Sequence, residues 1–311
     1  FICFYLQLFF SYKILEKFTN SVLYSFIGSI FFLVTPILLW KLQIVPALTG
    51  QWILLLTLYL GLSRRIEKSR LLWMLLIVLS SLINFYFMVM ILGSYSLLRV
   101  INFKLNKEHI FQFAKDLFII LSILLLTLYI VGYFEVRMVD TLAVGFGRDK
   151  LNLLGIFDST NTADNLSFSW ILPDLKHSYG EETEGFNFFG LGQIIIVLFA
   201  FSLFFNKNYK INLQSIKNNK EIKAFFIISL FFTLWALSNK ISLGPYTLIE
   251  IPLNKYIFGI LSIVRPTGRL FWVVNYFLLA LSLIIIFKCF DKKKSIAIIS
   301  FLLIIQIADT S

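Results

Sequence analysis

Charge is what this chain has least of. Only 14% of its residues are Asp, Glu, Lys or Arg, against about 25% in an ordinary soluble domain, while 59% are apolar against about 45–50%. Such a composition predicts an integral membrane protein. Cysteine is scarce as well: Cys3 and Cys289 both lie in apolar stretches, which excludes a disulfide framework and a CxxC metal site and leaves redox chemistry without support. The alternation of a barrel strand is missing, so segments that cross lipid should be helices, which pair their own backbone there. No internal repeat at a period of about 20 to 50 residues is present, which disfavours a solenoid. The chain opens Phe1-Ile2-Cys3-Phe4, with neither methionine nor a basic n-region, so its start does not read as a signal peptide. It reads instead as a fragment that begins inside an apolar segment.

What the chain has in quantity is long apolar runs. Residues 21 to 40, SVLYSFIGSIFFLVTPILLW, carry no charge, and about 20 such residues suffice for a helix to cross a bilayer. Most of the Lys and Arg gather in short loops, around Lys13, Arg64 to Arg70, Arg99 to Lys115, Lys207 to Lys223 and Lys288 to Lys294. The positive-inside rule places these loops in the cytoplasm. The net charge of +11 is then a topology signal, and nucleic-acid binding need not be invoked.

Parity adds a break. The uncharged run 71 to 98 has basic loops on both sides, so an even number of passes should lie between them, with a hinge near Ser80-Ser81-Leu82-Ile83-Asn84. A single tilted helix is the alternative. The remaining spans fall at 1 to 12 (truncated), 21 to 40, 44 to 62, 117 to 133, 188 to 206, 224 to 238, 270 to 287 and 295 to 308. The fold class predicted is therefore all-α integral membrane, a single polytopic domain over 1–311 with about ten transmembrane helices, some short or broken. Because the first span enters from outside, a further span and outer loop are expected upstream.

Two segments face outward, 134–187 and 239–269. The first mixes acidic residues with aromatic and apolar anchors, among them Trp170, which predicts an ordered extracytoplasmic loop. Its PDLKHSYGEETEGFN stretch gathers Asp174, His177, Glu181, Glu182 and Glu184, oxygen-rich side chains able to hold a divalent cation, Mg or Mn, or to supply a general base. The same residues also fit a solvated acidic loop end. In SIVRPTGRLFW, Arg265 and Arg269 flank Pro266 and Gly268 at the outer mouth of a span. Guanidinium forks suit phosphate oxygens, and snorkelling towards lipid headgroups is the plainer alternative. Both stretches are expected to meet at one outward cavity.

Several stretches together carry a resemblance: TPILLWKL (35 to 42), ALTGQW (47 to 52), INFYF (83 to 87), SFSWILPDLKH (167 to 177), EGFNFFGLG (184 to 192), RPTGRLFW (265 to 272) and IQIAD (305 to 309). In these the chain resembles, over its whole length, a bacterial multi-pass membrane family of unknown function, domain-of-unknown-function family 6311. Members of that family look similar to GT-C class glycosyltransferases, which take a sugar from a lipid-phosphate donor at the outer face of the membrane. The resemblance implies a bacterial cytoplasmic (inner) membrane protein of the cell envelope, with membrane lipid and a polyprenyl-phosphate-linked sugar donor as partners. It implies Asp174, His177 and Glu184 on the catalytic, acceptor or metal side, with Arg265, Arg269, Asn187, Trp170 and Asn84 binding substrate. Where the family pattern often has histidine this chain has Asn84. The principal catalytic acid of the GT-C class lies in the first outer loop, so this fragment is expected to lack it and to be inactive alone. The competing functions are a transporter or flippase of a lipid-linked glycan, which scarce charge in the spans disfavours, and a noncatalytic partner in envelope assembly.

Overall fold

The computed structural model describes residues 1–63, 69–101, 107–135, 146–161, 164, 166–176 and 183–310. Helices dominate. α1 (Ile2–Thr19) ends at Asn20, whose positive φ of 49° reverses the chain into α2 (Val22–Leu33). The apolar run 21 to 40 does not continue as one helix. Pro36 has no N–H and pushes Thr35 out of the helical region, to φ −67° and ψ 129°, so α3 (Pro36–Ile44) leaves α2 at 45°. Amide side chains from distant helices take up carbonyls at this break: Gln7 Nε2 donates to the Phe32 carbonyl at 3.2 Å and Gln306 Nε2 to that of Val34 at 3.3 Å.

A short 3-10 turn, Pro46–Thr49, leads into α4 (Trp52–Gly61). α5 (Arg70–Ile83) and α6 (Phe85–Ile101) are parted by Asn84 alone, which is extended at φ −165° and ψ 138°. Its Oδ1 accepts the N–H of Tyr86 at 2.9 Å, the bond an N-cap makes. The break thus falls at the predicted hinge, and one continuous helix is excluded. Asp116, on α7 (Lys107–Ile130), accepts from both Arg70 and Arg99, the latter at 3.4 Å. The start of α5 and the end of α6 therefore share one end of the bundle, as parity requires.

β1 (Thr160–Asn161) and β2 (Leu166–Ser167) pair antiparallel in the loop after α7. α8 (Leu191–Phe205), α9 (Gln214–Lys217) and α10 (Lys220–Ala236) follow, then the antiparallel hairpin of β3 (Lys240–Leu243) and β4 (Tyr246–Glu250). α11 (Lys255–Leu261), α12 (Phe271–Cys289) and α13 (Lys292–Thr310) complete the fold. α12 is the core element. It packs against α1, α4, α8, α10 and α13, and Trp272, Tyr276, Leu279 and Leu283 are fully buried on it. α7 is its opposite, with Phe118, Leu125, Tyr129 and Ile130 exposed.

The expectation of about ten transmembrane helices needs correction. Among the described residues two helices are long and apolar enough to cross a membrane, Ile110–Ile130 and Thr267–Cys289, or three if the bent pair α2 and α3 counts as one. The physical reason is length. α4, α5, α6, α8 and α10 have between 10 and 17 residues each, and α5 spans only about 21 Å at 1.5 Å per residue, short of the roughly 30 Å of a hydrocarbon core.

Candidate functional site: a buried ion-pair cluster

At the Asn84 end of α5 the chain brings together stretches far apart in sequence. Glu184 lies in a 3-10 turn, Thr183–Gly185, and Arg269 in another, Thr267–Leu270. These turns touch backbone to backbone. A Cβ on Gly268 would stand 2.7 Å from Cα of Gly185, and one on Gly185 would overlap the carbonyl of Lys150. Only glycine permits this approach. The Gly268 N–H donates to the Asp149 carbonyl at 3.1 Å, and buried Asn187 donates from Nδ2 to the carbonyls of Gly185 (2.8 Å) and Gly268 (3.1 Å).

With the backbones pinned, the charges converge. Arg269 meets Glu184 through a hydrogen bond from Nε to Oε2 at 2.9 Å and an ion-pair contact of Nη2 with Oε1 at 2.8 Å. Lys41, at the end of α3 and with a fully buried side chain, donates from Nζ to Glu184 Oε2 at 2.6 Å. The guanidinium of Arg269 stacks 4.6 Å from the ring centroid of Tyr86, and the Lys41 ammonium lies 3.2 Å from that of Trp40. Trp40 in turn donates from Nε1 to Asp164 at 2.8 Å. Two cations on one carboxylate leave the innermost group positive, with Arg265 close enough for its charge to be felt at Tyr86.

Burial pushes the pKa of Glu184 up, but the hydrogen bond and charge of Arg269, and then Lys41, outweigh it and hold the carboxyl below its ordinary value. Glu184 is therefore an ionised anchor and a weak base. Asp149 is shifted the other way. Burial raises it, and the hydrogen bond from Arg148 Nε at 3.1 Å offsets only part of that rise.

The residues singled out from sequence fall in different places. Glu184 and Arg269 meet, and Asn84 caps the helix that carries Tyr86. Asn187 is fully buried and clamps the two turns. Asp174 is exposed in a segment tied down through Asp158, whose Oδ1 accepts the Leu175 N–H at 3.0 Å. Trp170 is 81% exposed, and its backbone N–H donates to Asp309 at 3.2 Å. His177, Glu181 and Glu182 lie outside the described residues. Among the described residues no three of His, Cys, Asp or Glu gather as a metal set. Sequence reasoning passed over Lys41 and Asp149. Lys41 was detectable as the one charge between Lys17 and Arg64, since a charge inside an apolar stretch asks for a partner.

Fold and site together define a helical protein with helices able to cross a membrane and a buried cation-rich cluster at one end of its bundle. The chain belongs to the family described as a domain of unknown function (DUF6311), whose model matches residues 1–311. No curated protein and no solved structure matches it.

Proposed function

We propose that the chain is a multi-pass membrane transferase of GT-C type that binds a polyprenyl-phosphate-linked sugar through Lys41 and Arg269, at the extracytoplasmic face of a bacterial cytoplasmic membrane. The observation that carries this reading is the convergence of a fully buried lysine and a two-pronged arginine on Glu184. Such a pair of cations suits phosphate oxygens, the arginine by its planar fork and the lysine as a point charge. Exposed apolar faces on α7 (Phe118, Leu125) and α10 (Ile227, Leu230) support the membrane placement.

In this reading Glu184 positions the two cations. Transfer to an acceptor hydroxyl needs a proton acceptor beside the donor phosphate, and Asp149, held above its ordinary pKa by burial, suits that role better than an anchored Glu184. Positive groups at the phosphate would stabilise the leaving lipid phosphate.

The test is equilibrium binding of a polyprenyl-phosphate-linked sugar to the chain in nanodiscs. Specific binding that weakens about tenfold or more in R269K supports the proposal, since lysine keeps the charge and loses the fork. An undiminished affinity in both R269K and K41Q would overturn it. Uptake of the lipid-linked glycan into vesicles without transfer would favour the transporter reading.

A further inference from the structure

The opposite end of the bundle has a site of its own. A cavity of about 790 Å³ opens where α1 ends, α2 begins, α4 ends and α5 begins, within the 300–1,000 Å³ of common ligand sites. Among the described residues its polar wall is made by Lys13, Lys17, Asn20, Tyr59, Ser63 and Ser69, with Glu16 as a carboxylate. Glu16 accepts from Lys13 at 2.8 Å and from the Tyr12 hydroxyl at 2.8 Å, and Lys17 donates to the Leu62 carbonyl at 2.5 Å. Among the described lining residues two ammonium groups stand against one carboxylate. Ser69 precedes Arg70, so the cavity shares its end of the bundle with the Arg70–Asp116–Arg99 bridge.

The rim is apolar. Val22 and Leu72 line the cavity while 69% and 54% exposed, and their neighbours Leu23 and Leu71 are exposed beside them. A soluble anion would need the cations and would leave this apolar rim without a partner. An amphiphile with an anionic head uses both. We propose that this cavity binds the phosphate headgroup of an anionic phospholipid, with Lys13 and Lys17 on the phosphate and the acyl chains along Val22, Leu23, Leu71 and Leu72. This rests on the membrane placement above and not on the transferase reading, because binding is measured with no turnover.

The experiment is native mass spectrometry of the detergent-solubilised chain with added phosphatidylglycerol or phosphatidylcholine. Wild type should retain phosphatidylglycerol in preference. K13Q/K17Q should weaken retention by about fivefold per lysine, while K207Q/K210Q, on exposed lysines elsewhere, should leave it unchanged. E16Q should strengthen it, a gain that a misfolded variant would not give. Equal retention of the two lipids by wild type, no loss in K13Q/K17Q, or the same loss in K207Q/K210Q would overturn the proposal. Displacement of the lipid by an equal concentration of inorganic phosphate would reassign the cavity to a soluble anion.

Discussion

Glu184 and Arg269 are 85 positions apart in sequence and meet through a hydrogen bond from Nε to Oε2 and an ion-pair contact of Nη2 with Oε1. Lys41 adds a third contact from a side chain with no exposure. Removing the carboxylate leaves a buried ammonium without its anion. E184Q should therefore lower stability by about 3–5 kcal/mol, and E184Q/K41M should recover part of the loss because no buried lysine is left unpaired. Thermal unfolding in detergent checks both, and a double variant no more stable than E184Q contradicts the argument.

The same cluster sets an acid sensitivity. The pKa of Glu184 is lower in the folded chain than its ordinary 4.5, so its contribution to stability is present above that value and is lost as pH falls through the folded pKa. The stability difference between wild type and E184Q should shrink in that acid window and hold steady near neutrality. Denaturant titrations at stepped pH measure it.

Asp149 should behave in the opposite sense. Its pKa is raised above 3.8, so the stability it lends is present below that value and is lost as pH rises through the folded pKa. At neutral pH D149N should be as stable as wild type or more so, by about 1 kcal/mol at most. A variant that loses stability there would point to a structural role.

The crossing of the two turns depends on glycine. G185A and G268A should each destabilise the chain severely, because the added methyl meets backbone, which cannot swing aside. G259A is the control. Nothing lies within 4 Å of its Cβ, and it sits in α11, where alanine should gain up to about 1 kcal/mol. Melting temperatures of the three variants give the comparison.

Asn84 is expected to act through helix α6. N84A removes the bond to the Tyr86 N–H and should cost about 1 kcal/mol, whereas N84D and N84S should retain most of it. The cap also sets the register of the Tyr86 ring beneath Arg269. Substrate affinity should therefore follow the cap, with N84S closer to wild type than N84A.

Part of this was legible in the sequence because it left local marks. A polar hinge in an uncharged run announced the break at Asn84, and basic loops on both sides of it announced that Arg70 and Arg99 lie together. Glu184 and Arg269 stood out as charges in distinctive stretches. The break at Thr35 was marked only by Pro36, which a count of apolar residues passes over, and the count of helices able to cross a membrane was set too high because apolar composition does not show where each helix ends. Lys41 was marked as a lone charge in an apolar stretch, but neither its partner nor the role of Asp149 was legible. What distinguishes them is burial beside partners such as Glu184, which lies 143 positions from Lys41, and no local pattern records that.

The bend between α2 and α3 has a consequence for the order in which the chain can assemble. The Val34 carbonyl is held by Gln306, and the Phe32 carbonyl by Gln7. During synthesis residues 32 to 36 emerge with only the second of these partners made. The bend should then stay loose until α13 arrives, and a cysteine placed at Thr35 should react with a small thiol reagent in a ribosome-bound chain stalled before residue 306 and resist it in the released chain. Late closure of this kind would make α13 the clasp of the bundle rather than an appendage to it.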